Sequence, residues 1–294
     1  MKKQLFTTNK KQIDYQFILN RSFYLLAFLL ALSIYVYSFI PFFKNFGHFG
    51  YDWMIFKTAI KLMFSGQNPY TVSGYFSPPW MLLILSPITI LPTPFDTITL
   101  VILSTISFIV VVKKFSNSWL LVILFMLTPQ LWWGILYGNV DFLVALGIIM
   151  PPQFGLFFIL VKPQIGIAIA IFWLIQAWRK GKLKEVIRIF APISTVVVLS
   201  IFIFGLWFTK SKYATDLSWN IANWPLLLPI GIVLLYRSIE LKKFNLAVIS
   251  APFLSPYIAV QSLPIAVIGL LGNKVEATLA MASMWITWLL RKNL

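Results

Sequence analysis

From Ser22 to Ile40 the chain runs for 19 residues without a charged side chain, and apolar runs recur as far as Leu290. Nineteen residues make about 28 Å of helix at about 1.5 Å per residue, enough for the hydrocarbon core of a bilayer. Backbone amides crossing that core must bond within their own segment, so almost the whole chain reads as membrane helix and the fold class as all-α. Hydrophobic residues make up 60% of the 294, and mean hydropathy is +0.86. A soluble fold of this length cannot hide that much apolar surface. The expectation is a single transmembrane domain over residues 1–294, a polytopic bundle of roughly eight to ten transmembrane or re-entrant helices. Residues 1–21 form a cytoplasmic tail, and residues 41–80 form an external loop that carries an interfacial helix. No cleavable leader is evident, because the first apolar run is long enough to span.

A net charge of +16 invites a nucleic-acid reading, but the basic residues do not share a face. They cluster between apolar segments: Lys2, Lys3, Lys10, Lys11 and Arg21; Lys113 and Lys114; Arg179, Lys180, Lys182, Lys184 and Arg188; Arg237, Lys242 and Lys243. That is the positive-inside pattern of a multi-pass cell-membrane protein with a cytoplasmic N-terminus, and the clusters would also attract anionic lipids. Cysteine is absent, which removes disulfides, thiol chemistry and thiolate metal sites.

With the N-terminus inside, Pro41–Trp80 is external and Lys113–Lys114 internal. Two apolar stretches lie between them, so one must fail to cross. Trp80–Leu91 is short and interrupted by Pro87, and is expected to be re-entrant or interfacial. Between Asp141 and Arg179 lie three short apolar pieces, broken at Pro151-Pro152 and Lys162-Pro163. Such broken helices are tolerated where protein or a cavity covers their backbone. Ile189–Phe208 crosses to a second external loop, Thr209–Trp224, and Leu246–Leu290 holds three more segments broken at Ser255-Pro256 and near Gly272.

Within the first loop, Tyr51–Ser65 has the spacing of an amphipathic interfacial helix. Trp53, Phe56, Ile60, Met63 and Phe64 lie on one side, with Lys57 and Lys61 on its flank. Gly66 and Asn68-Pro69 stop it. Asp52 sits at or near the N-cap, and two readings are open and compatible. It is a cap, worth about 1 kcal/mol, or a general base whose aromatic surroundings raise its pKa. His48, the sole histidine, is an interfacial side chain or a catalyst. Tyr70, Tyr75 and Trp80 form a sugar-stacking wall or an interfacial aromatic belt. Asp141 and Lys162 stand in apolar sequence, where a charge needs a partner, an anion or the interface. A phosphate suits Lys162; snorkelling is its alternative.

The order of landmarks resembles a known family. An external acid follows the first span (Asp52), then an A-x-x-L-x-x-x-G-x-N-P-Y stretch from Ala59 to Tyr70. A Pro-Pro pair opens an apolar helix in Phe76–Trp80, Gly138–Asp141 forms a G-x-V-[ND] turn, and Lys162–Gln164 reads K-P-Q. Over about residues 22 to 190 this is similar to glycosyltransferase family 87, the polyprenol-phosphate-mannose-dependent alpha-mannosyltransferases of the GT-C fold. Asp141 stands where that family commonly carries Asn.

The resemblance implies a cell-envelope enzyme moving a mannose-like hexose, with inversion, from a polyprenyl-phosphate donor to a lipid or glycan acceptor hydroxyl on the outer side. Asp52 matches the catalytic base and Lys162 a donor-phosphate contact. Asp141, His48, Tyr70, Tyr75, Gln164 and Lys61 are the further substrate-binding candidates. The residues themselves offer no phosphate-cradling glycine loop and no metal-ligand cluster, so transfer without metal or cofactor is expected. The alternative is a transporter or lipid flippase, which shares broken helices and a buried lysine. Membrane lipids are expected partners and nucleic acid is not.

Overall fold

The computed structural model describes residues 49–209 and 220–291, with side chains to Leu289. From Gly50 onward they belong to one compact unit. The tail 1–21, the expected span Ser22–Ile40, His48 and residues 210–219 of the second loop lie outside the described residues. Those described are all-helical apart from an isolated antiparallel bridge between Asn220 and Ala259.

The first-loop helix α1 spans Tyr51–Phe64. Gly66, at φ 74°, terminates it, and Asn68 accepts from the Tyr70 N–H to turn the chain into a short 3-10 segment, Pro69–Thr71. Its buried face is Trp53, Phe56, Ala59 and Ile60; of the residues the spacing placed there, Met63 is only half-buried and Phe64 is 65% exposed. The capping expectation for Asp52 is corrected. Gly50 is the N-cap residue, the helix start has no side-chain cap bond, and Asp52 lies in the first turn. An acid there still meets the positive end of the helix dipole. Lys57 is no free flanking charge. Its ammonium pairs with Asp96 at 2.5 Å, and the Trp53 indole N–H donates to the same carboxylate at 3.1 Å. These bonds fasten α1 to the start of α3.

Trp80–Leu91 folds as a seven-residue helix, α2 (Pro79–Leu85), and a 3-10 turn, Ser86–Ile90. Together they are too short for a full-thickness span. The next helix, α3 (Phe95–Ser116), has 22 residues and is long and apolar enough to cross. Helices α4 (Trp119–Met126) and α5 (Pro129–Tyr137) pass the same test only as a pair bent by 65°. Pro129 has no N–H to continue the α4 ladder, which is why the break falls there.

The predicted breaks at Pro151-Pro152 and Lys162-Pro163 separate α6 (Asp141–Ile149), α7 (Pro152–Ile159) and α8 (Pro163–Phe204). At nine and eight residues, α6 and α7 fold back on one another. A Cβ on Gly155 would lie 2.5 Å from the Gly147 carbonyl oxygen, so only glycine permits this approach. The 42 residues of α8 are broken in backbone at Gly181 and Lys182, inside the basic cluster. They therefore make two helices, the first about 27 Å long from Pro163 to Lys180. Arg179 at this break pairs with Glu240 at 2.7 Å near the end of α9 (Leu228–Leu241).

The last part contains three segments, as expected: α10 (Phe244–Ser250) with a 3-10 extension to Leu254, α11 (Leu263–Ile268) and α12 (Lys274–Arg291). The core lies where α3, α6, α7 and the first half of α8 meet, with Leu100, Val144, Leu156 and Ile169 fully enclosed. By contrast, Phe202 is 82% and Ile203 70% exposed on the second half of α8, a surface compatible with lipid.

Candidate functional site

Three charged residues far apart in the sequence converge where the starts of α1, α6 and α8 meet. The approach is set by the turn between α5 and α6. Gly138 ends α5 at φ 75°, and the Gly50 N–H donates to the Leu136 carbonyl at 2.8 Å, laying the start of α1 across the turn. A Cβ on Gly138 would sit 2.6 Å from the Cβ of Trp53. Gly138→Ala therefore combines a left-handed backbone penalty with a clash. It is expected to lower stability by about 1–3 kcal/mol and to weaken whatever activity depends on Asp52, read by thermal melting and assay together. Melting unchanged from wild type would show that α1 is not held by this turn.

Asn139, next in the chain, is the hub. Its Nδ2 donates to Asp52 Oδ2 at 2.9 Å, while its Oδ1 accepts from Lys162 Nζ at 2.5 Å and from the Asp141 backbone N–H at 3.2 Å. An ammonium can only donate, so Lys162 fixes which end of the amide faces Asp52. Lys162 also pairs with Asp141 Oδ1 at 2.7 Å and donates to Ser262 Oγ at 3.4 Å. The Ser262 hydroxyl lies 3.2 and 3.0 Å from the two Asp141 oxygens and donates to that carboxylate. Asn139, Asp141, Lys162 and Ser262 are all buried.

Lys162 precedes Pro163 at the start of α8, and Asp141 opens α6, so both broken-helix starts point their charged residues at one spot. All three ammonium donors of Lys162 are engaged. It is neither snorkelling nor open, and a phosphate reaches it only by displacing one of these partners.

Asp52 differs from Asp141 in having no direct cation among the described residues. It is half-buried, and burial raises its pKa above the ordinary carboxylate value of 3.8, against the opposing pull of Lys162 and the Asn139 hydrogen bond; Asp141 adds to the rise. A carboxylate with raised proton affinity, oriented by one amide, is equipped to accept a proton.

The remaining candidates are not part of this cluster. Tyr75 is buried, its hydroxyl donating to the Pro78 carbonyl at 3.0 Å, and Tyr70 donates to the Ser77 carbonyl at 3.0 Å. Their rings lie 5.1 Å apart, and Tyr70 stacks on Trp207. Trp80 is buried against Trp207, with its indole N–H on the Phe157 carbonyl. These rings pack against one another instead of presenting an open wall. Burial raises both phenol pKa values, so they stay neutral. Lys61 is exposed near the far end of α1, and Gln164 is half-buried in the first turn of α8. His48 is outside the described residues.

Sequence reasoning missed Asn139 and Ser262. Asn139 carried a signal, an amide in an otherwise apolar stretch. Ser262 carried none, since a serine among apolar residues is ordinary. Two cavities, of 340 and 470 Å³, lie toward α12, and neither is lined by Asp52. Among the described residues no group of three His, Cys, Asp or Glu could hold a metal ion.

Comparisons with known protein families, with curated proteins and with solved structures find no match. The described residues define the class as all-helical, with two helices among them, or three counting the bent pair, long and apolar enough to cross a membrane. The chain carries an Asp–Asn–Lys–Asp–Ser network that is buried except at the half-buried Asp52.

Proposed function

We propose that this chain is a multi-pass membrane glycosyltransferase that moves a hexose from a polyprenyl-phosphate donor to an acceptor hydroxyl, with Asp52 as general base. The observation that carries this is the convergence of Asp52, Asp141 and Lys162, drawn from positions up to 110 residues apart, through the Asn139 hub. In the proposed step the acceptor O–H proton passes to Asp52 while its oxygen attacks the anomeric carbon. The bond from that carbon to the lipid-phosphate oxygen breaks with inversion, and the phosphate leaves with the electron pair. Lys162 holds Asn139, and through it the Asp52 carboxylate. The donor phosphate approaches Lys162 by displacing Ser262, the longest of its three contacts.

Sidedness supports an external site. Helix α3 starts at Asp96 beside α1 and ends at Lys113–Lys114. The first half of α8 starts at Lys162 and ends at Arg179. Both basic clusters thus sit at the helix ends leading away from Asp52, and the positive-inside rule puts those ends in the cytoplasm. Ser73 is exposed in the same loop as Asp52. A cysteine at Ser73 is expected to react with an impermeant maleimide in intact cells, a clean assay because the chain has no cysteine. Labelling only after permeabilisation would invert the topology and remove the acceptor-side argument.

The direct test of activity is incubation of the purified, reconstituted protein with a panel of radiolabelled polyprenyl-phosphate sugars, polyprenyl-phosphate-mannose first, in extracted membrane lipid. Asp52-dependent transfer of label is expected. A second reading, transport or lipid flipping, draws on the buried Asp141–Lys162 pair in broken helices. Label crossing sealed vesicles unchanged, with no new product, would favour it.

A further inference from the structure

Basic clusters at the cytoplasmic face attract acidic lipids diffusely. At the break in α8 the tertiary structure builds a more definite surface. Arg179 pairs with Glu240 at 2.7 Å and donates to the Ile239 carbonyl at 2.6 Å. Six residues earlier, Trp173 stacks on Phe244 with ring centroids 5.9 Å apart. These contacts set the break beside the turn between α9 and α10. The run from Arg179 to Arg188 and the run from Arg237 to Lys243 thereby share one surface, although Lys182 and Lys242 are sixty residues apart in sequence.

The acids described on this surface are already engaged. Glu240 is held by Arg179, and Glu185 by Lys180 at 3.3 Å and Arg188 at 2.6 Å. Lys182, Lys184, Arg237, Lys242 and Lys243 are exposed and have no ion-pair partner among the described residues. The surface therefore carries excess positive charge that only an anion from outside the described residues can match.

Lys182 adds an independent sign. Its backbone lies at φ 51°, ψ −142°, close to a region that glycine alone adopts readily. Its ammonium sits 5.7 Å from the centroid of the Trp178 ring. A lysine held where glycine would be less strained points to a use for its side chain. Exposed apolar side chains stand among the cations. Trp178 is 50% exposed, and Leu183 and Ile187, four residues apart, run beside Lys184 and Arg188. Phosphate-level cations interleaved with apolar side chains fit a phospholipid, whose acyl chains begin next to its phosphates. A soluble polyanion would use the cations alone.

We propose that the seam between the α8 break and the α9–α10 turn binds a phospholipid carrying two phosphates, one held by Lys182 and Lys184 and the other by Lys242 and Lys243. This site is independent of the sugar-transfer reading.

The test is native mass spectrometry of the full-length protein in detergent, titrated with cardiolipin or with phosphatidylglycerol at equal phosphate. A one-to-one cardiolipin adduct, tighter than any phosphatidylglycerol adduct, is expected. At about 1 kcal/mol per lysine near a lipid surface, Lys182→Gly should weaken it about fivefold and Lys242→Gln with Lys243→Gln about thirtyfold. Lys182→Gly relieves the backbone and should melt no lower than wild type. Should it melt lower, the Lys242/Lys243 variant carries the test. Lys113→Gln with Lys114→Gln removes equal charge from another cluster and should leave cardiolipin binding unchanged. An equal loss there would reduce the effect to net charge and overturn the site. Phosphatidylglycerol binding as tightly as cardiolipin would overturn it too, as would wild-type affinity in the folded Lys242/Lys243 variant. Pyrophosphate binding as tightly as the lipid would mark a soluble polyanion site and overturn the lipid assignment.

Discussion

Asp52→Asn is expected to reduce sugar transfer by about 100- to 10,000-fold, the usual cost of removing a general base, while leaving the protein folded. The substitution is close to isosteric, and the new amide oxygen still accepts from Asn139 Nδ2. No helix cap is lost, because Asp52 does not cap α1. The pH dependence sharpens the prediction. Burial raises the Asp52 pKa in the folded protein above 3.8, so the fraction able to accept a proton falls as pH drops through that raised value. Wild-type kcat/KM should decline on the acid side with a midpoint above the ordinary carboxylate range.

Stability runs the other way. A carboxyl with raised folded pKa contributes stability that is complete below its unfolded pKa and lost as pH rises through the folded one. Asp52→Asn removes this loss and should melt no lower than wild type at neutral pH. Near-normal transfer by this variant would move the base elsewhere, with Asp141 the next acid to test.

The second large effect belongs to Lys162. Removing one partner of a buried ion pair leaves the other charge uncompensated, at a cost of about 3–5 kcal/mol. Lys162→Met should therefore destabilise strongly, and Asp141→Asn should do so less, because its new amide oxygen can still accept from Lys162 and Ser262. The double variant should recover most of the loss, a coupling that a mutant cycle in thermal or denaturant unfolding would reveal. A snorkelling lysine would show no coupling to Asp141. Lys162 also fixes the amide of Asn139. In the Asp141→Asn background, Lys162→Met is expected to lower kcat and shift the acid limb, in addition to raising the KM for donor. A change in KM alone would make Lys162 a phosphate contact and nothing more.

Several elements were legible because a single residue forces them. Pro87, Pro151-Pro152 and Pro163 lack the N–H that a continuing helix needs, so the breaks fall at or next to them in sequence and structure alike. Gly66 and Asn68-Pro69 end α1 for equally local reasons, and its buried face follows from spacing, with Met63 and Phe64 the exceptions. The basic break in α8 was marked by its charges. The bend between α4 and α5 was not anticipated, since the two apolar helices read as one run.

The candidate site divides in the same way. The sequence by itself determined that this chain requires an apolar solvent, where its helices stop, and that Asp52, Asp141 and Lys162 are charges in costly surroundings; these follow from composition, chain chemistry and local spacing. Only the tertiary structure decided their partners. Asp52 could be a cap or a hub-bound acid, and Lys162 could seek lipid, phosphate or a carboxylate, because each option satisfies the same local rule. What settles them is the approach of four separate segments: the start of α1, the turn at Gly138, the start of α8 and the turn carrying Ser262. Hydrogen bonds and ion pairs act over about 3 Å, and nothing in a one-dimensional string specifies which side chains will be brought that close.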